Sequence, residues 1–383
     1  MVAALMGSTL SSPLYPLYQS QWSLTSLWVN ALFAAYAVGV VFSLTMMTRF
    51  GDRLKDRRIA IAVALFLIIL GAVVMAFAPS ATVLMAGRIV AGLGTGTLLG
   101  SASAALLELH PKGDVRMTAL QSTIAFTLGS AGGPLLSGYF IHINLWPEHA
   151  PYLVIMALAV ISMLGALSTP LPVARKPNDL LQSRTHKRPT NDQSFLIIAT
   201  LTLVFGWCIG SVFMVSGPKV ALELAGVSST FVAASLIGGF QLSAGLGQLL
   251  GRSLYQSTAV MAGTLIALIS HIGMGLFAIS GMTLLFEISC VTAGLGYGIS
   301  FVGATGLINR ISRPEERVRL ISMYYVTGYL FGNAAPTVIF GACIDAFGLK
   351  NTVLGLIVVV VIIGIYIVVK LRETAPLAKS GAQ

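Results

Sequence analysis

The chain has 383 residues, of which 56% are hydrophobic and only 9% charged, against about 25% charged residues in soluble domains. That is too little charge to cover a water-soluble surface, so the excess apolar surface faces lipid and the chain reads as an all-α integral membrane protein. The net charge of +10 does not mark a nucleic-acid binder, because the basic residues lie in short clusters between apolar runs and anchor membrane edges.

A crossing needs about 20 apolar residues, and that ruler gives twelve transmembrane spans: 2–18, 25–48, 59–78, 82–106, 118–141, 151–170, 194–216, 229–250, 258–279, 282–308, 319–343 and 351–370. They are numbered here in that order. Span 1 lacks the basic n-region and cleavage site of a removable signal peptide, so it reads as a short first span with no cytosolic head before it. The loop after span 2 holds Arg49, Arg53, Lys55, Arg57 and Arg58, and the alternate loops continue that pattern. Twenty of the 23 Lys and Arg fall in this one set of loops, only Lys219 and Lys350 fall in the other, and Arg88 lies inside span 4. The basic end is therefore read as cytoplasmic, with both termini there, in a multi-pass protein of the plasma (inner) membrane.

Span 4 contains Ala91–Gly96, AGLGTG, and span 10 contains Ala293–Gly298, AGLGYG, 202 residues later; Pro134 and Pro336 keep the same offset. A parallel repeat of half the chain length predicts two six-helix bundles. Residues 1–170 form the N-terminal bundle and 194–372 the C-terminal one. The polar, proline-bearing stretch 171–193 is the cytoplasmic linker, and 373–383 is a cytoplasmic tail. Cys208, Cys290 and Cys343 lie far apart in apolar segments, without CxxC or His spacing, so neither a disulfide framework nor a metal site is expected. No P-loop, HExxH, GxSxG or kinase motif is present, which argues against ATP-driven transport and enzymatic chemistry. No cofactor is expected.

Three motifs carry a family resemblance. The loop after span 2, TRFGDRLKDRRIAI, is similar to the loop motif of the major facilitator superfamily, with Asp52 and Arg53 at its Asp-Arg positions and Arg57 and Arg58 at its basic end. Thr48 and Lys55 stand where that motif has glycines. Span 4 reads GRIVAGLGTG, with Arg88, Gly92 and Gly94 in the family's pattern. Span 5 reads GSAGGPLLSG, which resembles the motif of the family's 12-span drug–proton antiporters through Gly129, Gly133, Pro134 and Gly138.

The resemblance implies the major facilitator fold and secondary active transport by alternating access. It leans towards proton-coupled export of small amphipathic or aromatic compounds, a multidrug-type efflux. An importer or exchanger of one metabolite on the same fold is the alternative, and a non-transporting membrane sensor is a third reading. The expected partners are the lipid bilayer, a small-molecule substrate and protons, with no nucleic acid, and the chain is read as a monomer. The resemblance also makes Asp52, Arg53, Arg57 and Arg58 a conformational lock on the cytoplasmic side, closed when the protein faces outward. The alternative is a set of solvated loop charges.

Glycines at close spacing let helix backbones approach. Gly92, Gly94, Gly129, Gly133, Gly138 and the prolines Pro134 and Pro336 are therefore either packing positions or the hinge and sliding surface between bundles. Ionisable groups inside spans are costly and point to function. Arg88, Glu287 in span 10 and His271 in span 9 are the proton-coupling candidates, with Glu287 first. Snorkelling of Glu287 to the surface and a hydrogen-bonded core role for His271 are the bland alternatives. Span 1 holds no acid, and Glu108 lies at the end of span 4. The cavity candidates are the aromatic and weakly polar Tyr15, Asn30, Tyr36, Gln121, Gln241, Tyr297, Tyr325, Tyr329 and Asn333, a set suited to an amphipathic or aromatic ligand.

Overall fold

The computed structural model describes residues 1–50, 56–110, 114–169, 192–312 and 316–380. Among them every regular element is a helix, and eleven helical stretches are long and apolar enough to cross a membrane. Span 1 supplies the twelfth crossing in pieces. It runs as an α-helix over Val2–Thr9, a 3-10 turn over Ser12–Leu14 and an α-helix over Tyr15–Gln21. Pro13 and Pro16 explain the break, since proline lacks the N–H that a helix interior needs and its ring crowds the preceding turn.

The other spans follow the reading, most with longer ends, while spans 3 and 6 stop two residues earlier than read. Spans 2 to 6 are Ser26–Phe50, Arg57–Ala76, Ala81–Leu109, Val115–His142 and Ala150–Ser168. Spans 7 to 10 are Asp192–Glu223, Thr230–Gly251, Gln256–Ser280 and Thr283–Ile311. Span 11 covers Arg317–Thr327, Gly328–Ala334 and Ala335–Phe347, and span 12 is Leu349–Ser380. Asp56 starts span 3 by accepting the Arg58 N–H at 2.9 Å, a normal N-cap. Gly281, at φ 74°, ends span 9 in the left-handed conformation that glycine adopts without penalty. The segment expected as a tail from residue 373 is instead helical to Ser380, continuing a helix in which Lys370 pairs with Glu373 at 3.3 Å. The linker lies outside the described residues except for its last two positions.

The repeat is visible in the backbone. Spans 4 and 10 both have 29 residues and begin and end 202 positions apart. Span 4 is wedged between spans 2 and 3. A Cβ on Gly92 would collide with the Tyr36 backbone, and one on Gly94 would lie 2.6 Å from the Ala64 carbonyl oxygen. Span 10 repeats this, with Gly294 against Phe240 of span 8 and Gly296 placing a Cβ 2.6 Å from the Ala267 nitrogen of span 9. Gly129 and Gly133 seat span 5 on Val2, Met6 and Leu10 of span 1. These four glycines of the first half therefore close helices within their own bundle.

The bundles meet along two seams. Span 5 lies on span 8, where Gly138 faces Ala234 and Gly238 faces Leu135. Span 2 lies on span 11, where Gly341 faces Ser26 and Asn30. The two seams exchange under the 202-residue repeat. The Ser12 hydroxyl donates to the Met214 carbonyl, and these two residues are themselves 202 apart, so the pseudo-twofold axis passes beside them.

Spans 5 and 11 differ at their matching prolines. Span 5 stays α-helical through Pro134. Span 11 changes to a π-helical segment, Gly328–Ala334, just before Pro336. Pro336 has no N–H for the Gly332 carbonyl. That carbonyl instead accepts from the Ser211 hydroxyl of span 7 at 3.0 Å.

Candidate functional site: a central aromatic cavity

Between the bundles, in the half nearer the basic loops, lies a cavity of about 580 Å³. Its N-bundle wall is mainly aliphatic, with Val40, Leu44, Gly96, Gly100, Ser103 and a single ring, Phe126. Its C-bundle wall carries Trp207, Gln248, Tyr297, Phe301, Tyr325 and Tyr329. Among the described residues no Asp, Glu, Lys, Arg or His side chain lines it.

The opposite end is held shut between the bundles. Asp345, in the last turn of span 11, accepts the backbone N–H groups of Ser26 and Leu27 at 2.8 Å each. These are the first residues of span 2, whose N-terminal N–H groups lack helical partners and attract a carboxylate. Lys219 of span 7 donates to the Ser26 hydroxyl at 3.3 Å and pairs with Glu223 at 3.9 Å. Span 11 thus carries cavity residues at one end and this contact at the other.

Three expected cavity residues, Tyr297, Tyr325 and Tyr329, line the cavity. The other six do not. Tyr15 and Tyr36 are buried inside the N-bundle around Arg88, with Tyr15 edge-on to Phe33. Asn30 faces Gly341 at the seam and donates to the Ser26 carbonyl at 2.9 Å. Gln121 is exposed, and Gln241 is half-buried away from the cavity wall. Asn333 sits within the π-helical segment. The sequence shows polarity and aromaticity; which face of a span they occupy depends on its rotation against its neighbours.

Arg88 is 1% exposed. It donates from Nη1 to the Ser8 carbonyl at 2.8 Å, from Nη2 to the Phe33 carbonyl at 3.2 Å and from Nε to the Leu32 carbonyl at 3.3 Å. Its guanidinium lies 5.6 Å from the Phe33 ring centre and 5.0 Å from that of Tyr36. The break in span 1 leaves helix-end carbonyls near Ser8, and helix C-termini favour a cation. Arg88 thereby ties span 4 to spans 1 and 2. Glu287 is half-buried on span 10 and makes no hydrogen bond or ion pair among the described residues. The structure does not bring it to Arg88. His271 is buried, its Nδ1 2.7 Å from the Ala267 carbonyl oxygen. It shares with Cys290 a small, mainly apolar cavity of about 60 Å³ inside the C-bundle.

Asp52 and Arg53 lie outside the described residues. Arg57 pairs with Glu108 at 2.9 Å, joining the start of span 3 to the end of span 4 within the N-bundle, and Arg58 lies 3.7 Å from Asp56. Gly138 lies at the span 5–span 8 seam, whereas Gly92, Gly94, Gly129 and Gly133 do not. Trp207 and Asp345 escape the sequence reading. Trp207 looks like any apolar residue of span 7. Asp345 carried a signal, a lone acid beyond a span end placed at 343, but its target on span 2 is visible only in three dimensions.

Two helical bundles astride a drug-sized central cavity, shut at one end by interbundle contacts, define a multi-pass membrane transporter. The chain belongs to the major facilitator superfamily, whose family model matches residues 1–336. No curated protein sequence matches it. Solved structures share the fold at low identity. A bacterial homologue of the human lysosomal transporter Spinster, in an inward-facing and occupied conformation, aligns with a TM-score of 0.78 and 14% identity over 97% of this chain and 94% of that one. A POT family transporter in complex with 5-aminolevulinic acid gives 0.78 and 15% over 97% and 94%. A D-xylose–proton symporter gives 0.73 and 14% over 96% and 95%.

Proposed function

We propose that the protein is a secondary transporter that moves small amphipathic or aromatic compounds across the plasma (inner) membrane by alternating access, as a proton-coupled exporter. The observation that carries this reading is the aromatic cavity open towards the basic loops and shut at the opposite end by Asp345 and Lys219. With the basic end cytoplasmic, this is an inward-facing state that receives cargo from the cytoplasm. The Spinster homologue, described as inward-facing, supports that assignment by its likeness. Glu287 is the proposed proton carrier, because an intramembrane carboxylate without a partner is costly unless it serves a function. Arg88, held by three carbonyls, is assigned to joining spans 1, 2 and 4.

A second reading has its own support. The cavity wall lacks a carboxylate among the described residues, which favours an exchanger or importer of one metabolite without a proton at the cargo site. Fluorescent aromatic dye uptake into everted membrane vesicles, with and without an imposed pH gradient, separates the two. Gradient-driven accumulation that Glu287→Gln abolishes while the protein still folds supports proton-coupled export. Dye movement indifferent to the gradient rejects it in favour of exchange.

A further inference from the structure

We infer that the cavity takes an uncharged, planar aromatic molecule bearing a carbonyl-type hydrogen-bond acceptor on its edge, and that the C-bundle alone grips it. This rests on the transporter reading above and specifies its cargo.

Four observations converge. The first is charge. A charged ligand entering a water-poor cavity needs a partner of opposite sign, and without one its desolvation goes uncompensated. No charged side chain lines the cavity among the described residues, and the α-amino group of Met1, which also lines it, is disfavoured in its charged form by burial. The second is shape. Trp207 packs edge-on to Tyr329 with ring centres 4.7 Å apart and lies 6.2 Å from Tyr325. Tyr297 stacks on Phe240 at 6.0 Å. Rings fixed against one another in this way present flat and edge surfaces suited to another aromatic plane.

The third is an unused donor. The Trp207 indole Nε1 is buried and makes no well-aligned hydrogen bond; the acceptor near it is the Tyr297 hydroxyl. A buried N–H left unpaired is unfavourable, and an acceptor brought by a ligand repairs it. Indole can only donate, so the matching group on the ligand is an acceptor such as a carbonyl oxygen. The fourth is asymmetry. Trp207 is on span 7, Tyr297 on span 10, and Tyr325 and Tyr329 on span 11, all in the C-bundle. The facing wall carries one ring, Phe126, among aliphatic side chains, glycines and small hydroxyl groups. A ligand held this way stays with the C-bundle while the N-bundle moves past it. About 580 Å³ is within the range of small-molecule sites.

The test is equilibrium dialysis of the full chain in lipid nanodiscs with four flat two-ring probes. Coumarin is neutral with an edge carbonyl, naphthalene lacks an acceptor, coumarin-3-carboxylate adds a negative charge, and N-methylquinolinium adds a positive one. Coumarin is expected to bind, with neither charged probe displacing it at equal concentration. Trp207→Phe keeps a ring and removes the donor. It should weaken coumarin about five- to tenfold, the worth of one neutral hydrogen bond, and leave naphthalene unchanged. Ser103→Ala and Ser122→Ala, on the facing wall, should leave coumarin within about twofold.

A charged probe that binds as well as coumarin overturns the inference. So does a Trp207→Phe protein that binds coumarin normally, or a wild type that does not bind coumarin. Spin labels at positions 24 and 346 report separately whether the shut seam opens. Opening without coumarin binding leaves the transport reading intact and removes this inference. Binding through Trp207 with a seam that never opens does the reverse.

Discussion

Replacing Asp345 by alanine should shift the protein towards the state open at the end away from the basic loops. The carboxylate accepts two backbone N–H groups of span 2 at 2.8 Å, and the residue is exposed. The value of a helix cap therefore applies, not that of a buried ion pair. Removing a capping aspartate costs about 1 kcal/mol and at most ~2. The contact joins two bundles that separate when this end opens, so the whole loss falls on the shut state. That corresponds to a change of about 5- to 30-fold in the ratio of shut to open molecules. Asp345→Asn keeps one acceptor oxygen and should show about half of the free-energy effect. The assay is the double electron–electron resonance distance distribution between labels at positions 24 and 346 in nanodiscs. Populations unchanged within about twofold in Asp345→Ala, or a larger shift in Asn than in Ala, would refute the reasoning.

Three further outcomes follow from packing. Arg88→Met leaves the Ser8 carbonyl, at the break in span 1, without its donor, at about 1–3 kcal/mol if unpaired, and removes the ties to the Leu32 and Phe33 carbonyls, which keep their own helical partners in span 2. Its melting temperature by fluorescence-detected size exclusion should fall well below wild type, with Arg88→Lys between them because an ammonium lacks the guanidinium fork. Gly94→Val forces a Cβ to 2.6 Å from the Ala64 oxygen, whereas a Cβ on Gly100 meets nothing within 4 Å. Gly94→Val should lose the monodisperse peak through overpacking of about 1–3 kcal/mol or more, and Gly100→Val should keep it. Ser211→Ala removes the donor to Gly332 and should lower thermal stability by about 1–3 kcal/mol. Ser211→Thr restores it; equal melting of Ala and wild type would show that the π-helical segment needs no outside donor.

Much of the architecture was legible in the residues because lipid imposes long apolar helices and backbone self-satisfaction. The offset of 202 read from two glycine-rich hexapeptides recurs in both ends of spans 4 and 10. The glycines were legible as close approaches, but their partners were not. Gly94 meets span 3 and Gly133 meets span 1, and nothing local distinguishes those neighbours from the other bundle. Span 1 shows a second limit. It was read as one short span, its break at Pro13 and Pro16 emerges in the fold, and that Arg88 would use the carbonyl of Ser8 depends on span 4 passing beside it. The cavity was half legible for the same reason. Three tyrosines were found by type, while Trp207 gained meaning only once its indole nitrogen was seen without a well-aligned partner.

The π-helical turn of span 11 separates Tyr325, on the cavity side, from Asp345, at the closed end. Relaxing a single added residue back into α-helical register rotates everything beyond it by about 100°, the turn per residue of a 3.6-residue helix. Tyr329 lies inside that turn and on the cavity wall. The ring on the cavity wall and the helical register that aims the Asp345 carboxylate at span 2 therefore belong to one continuous span.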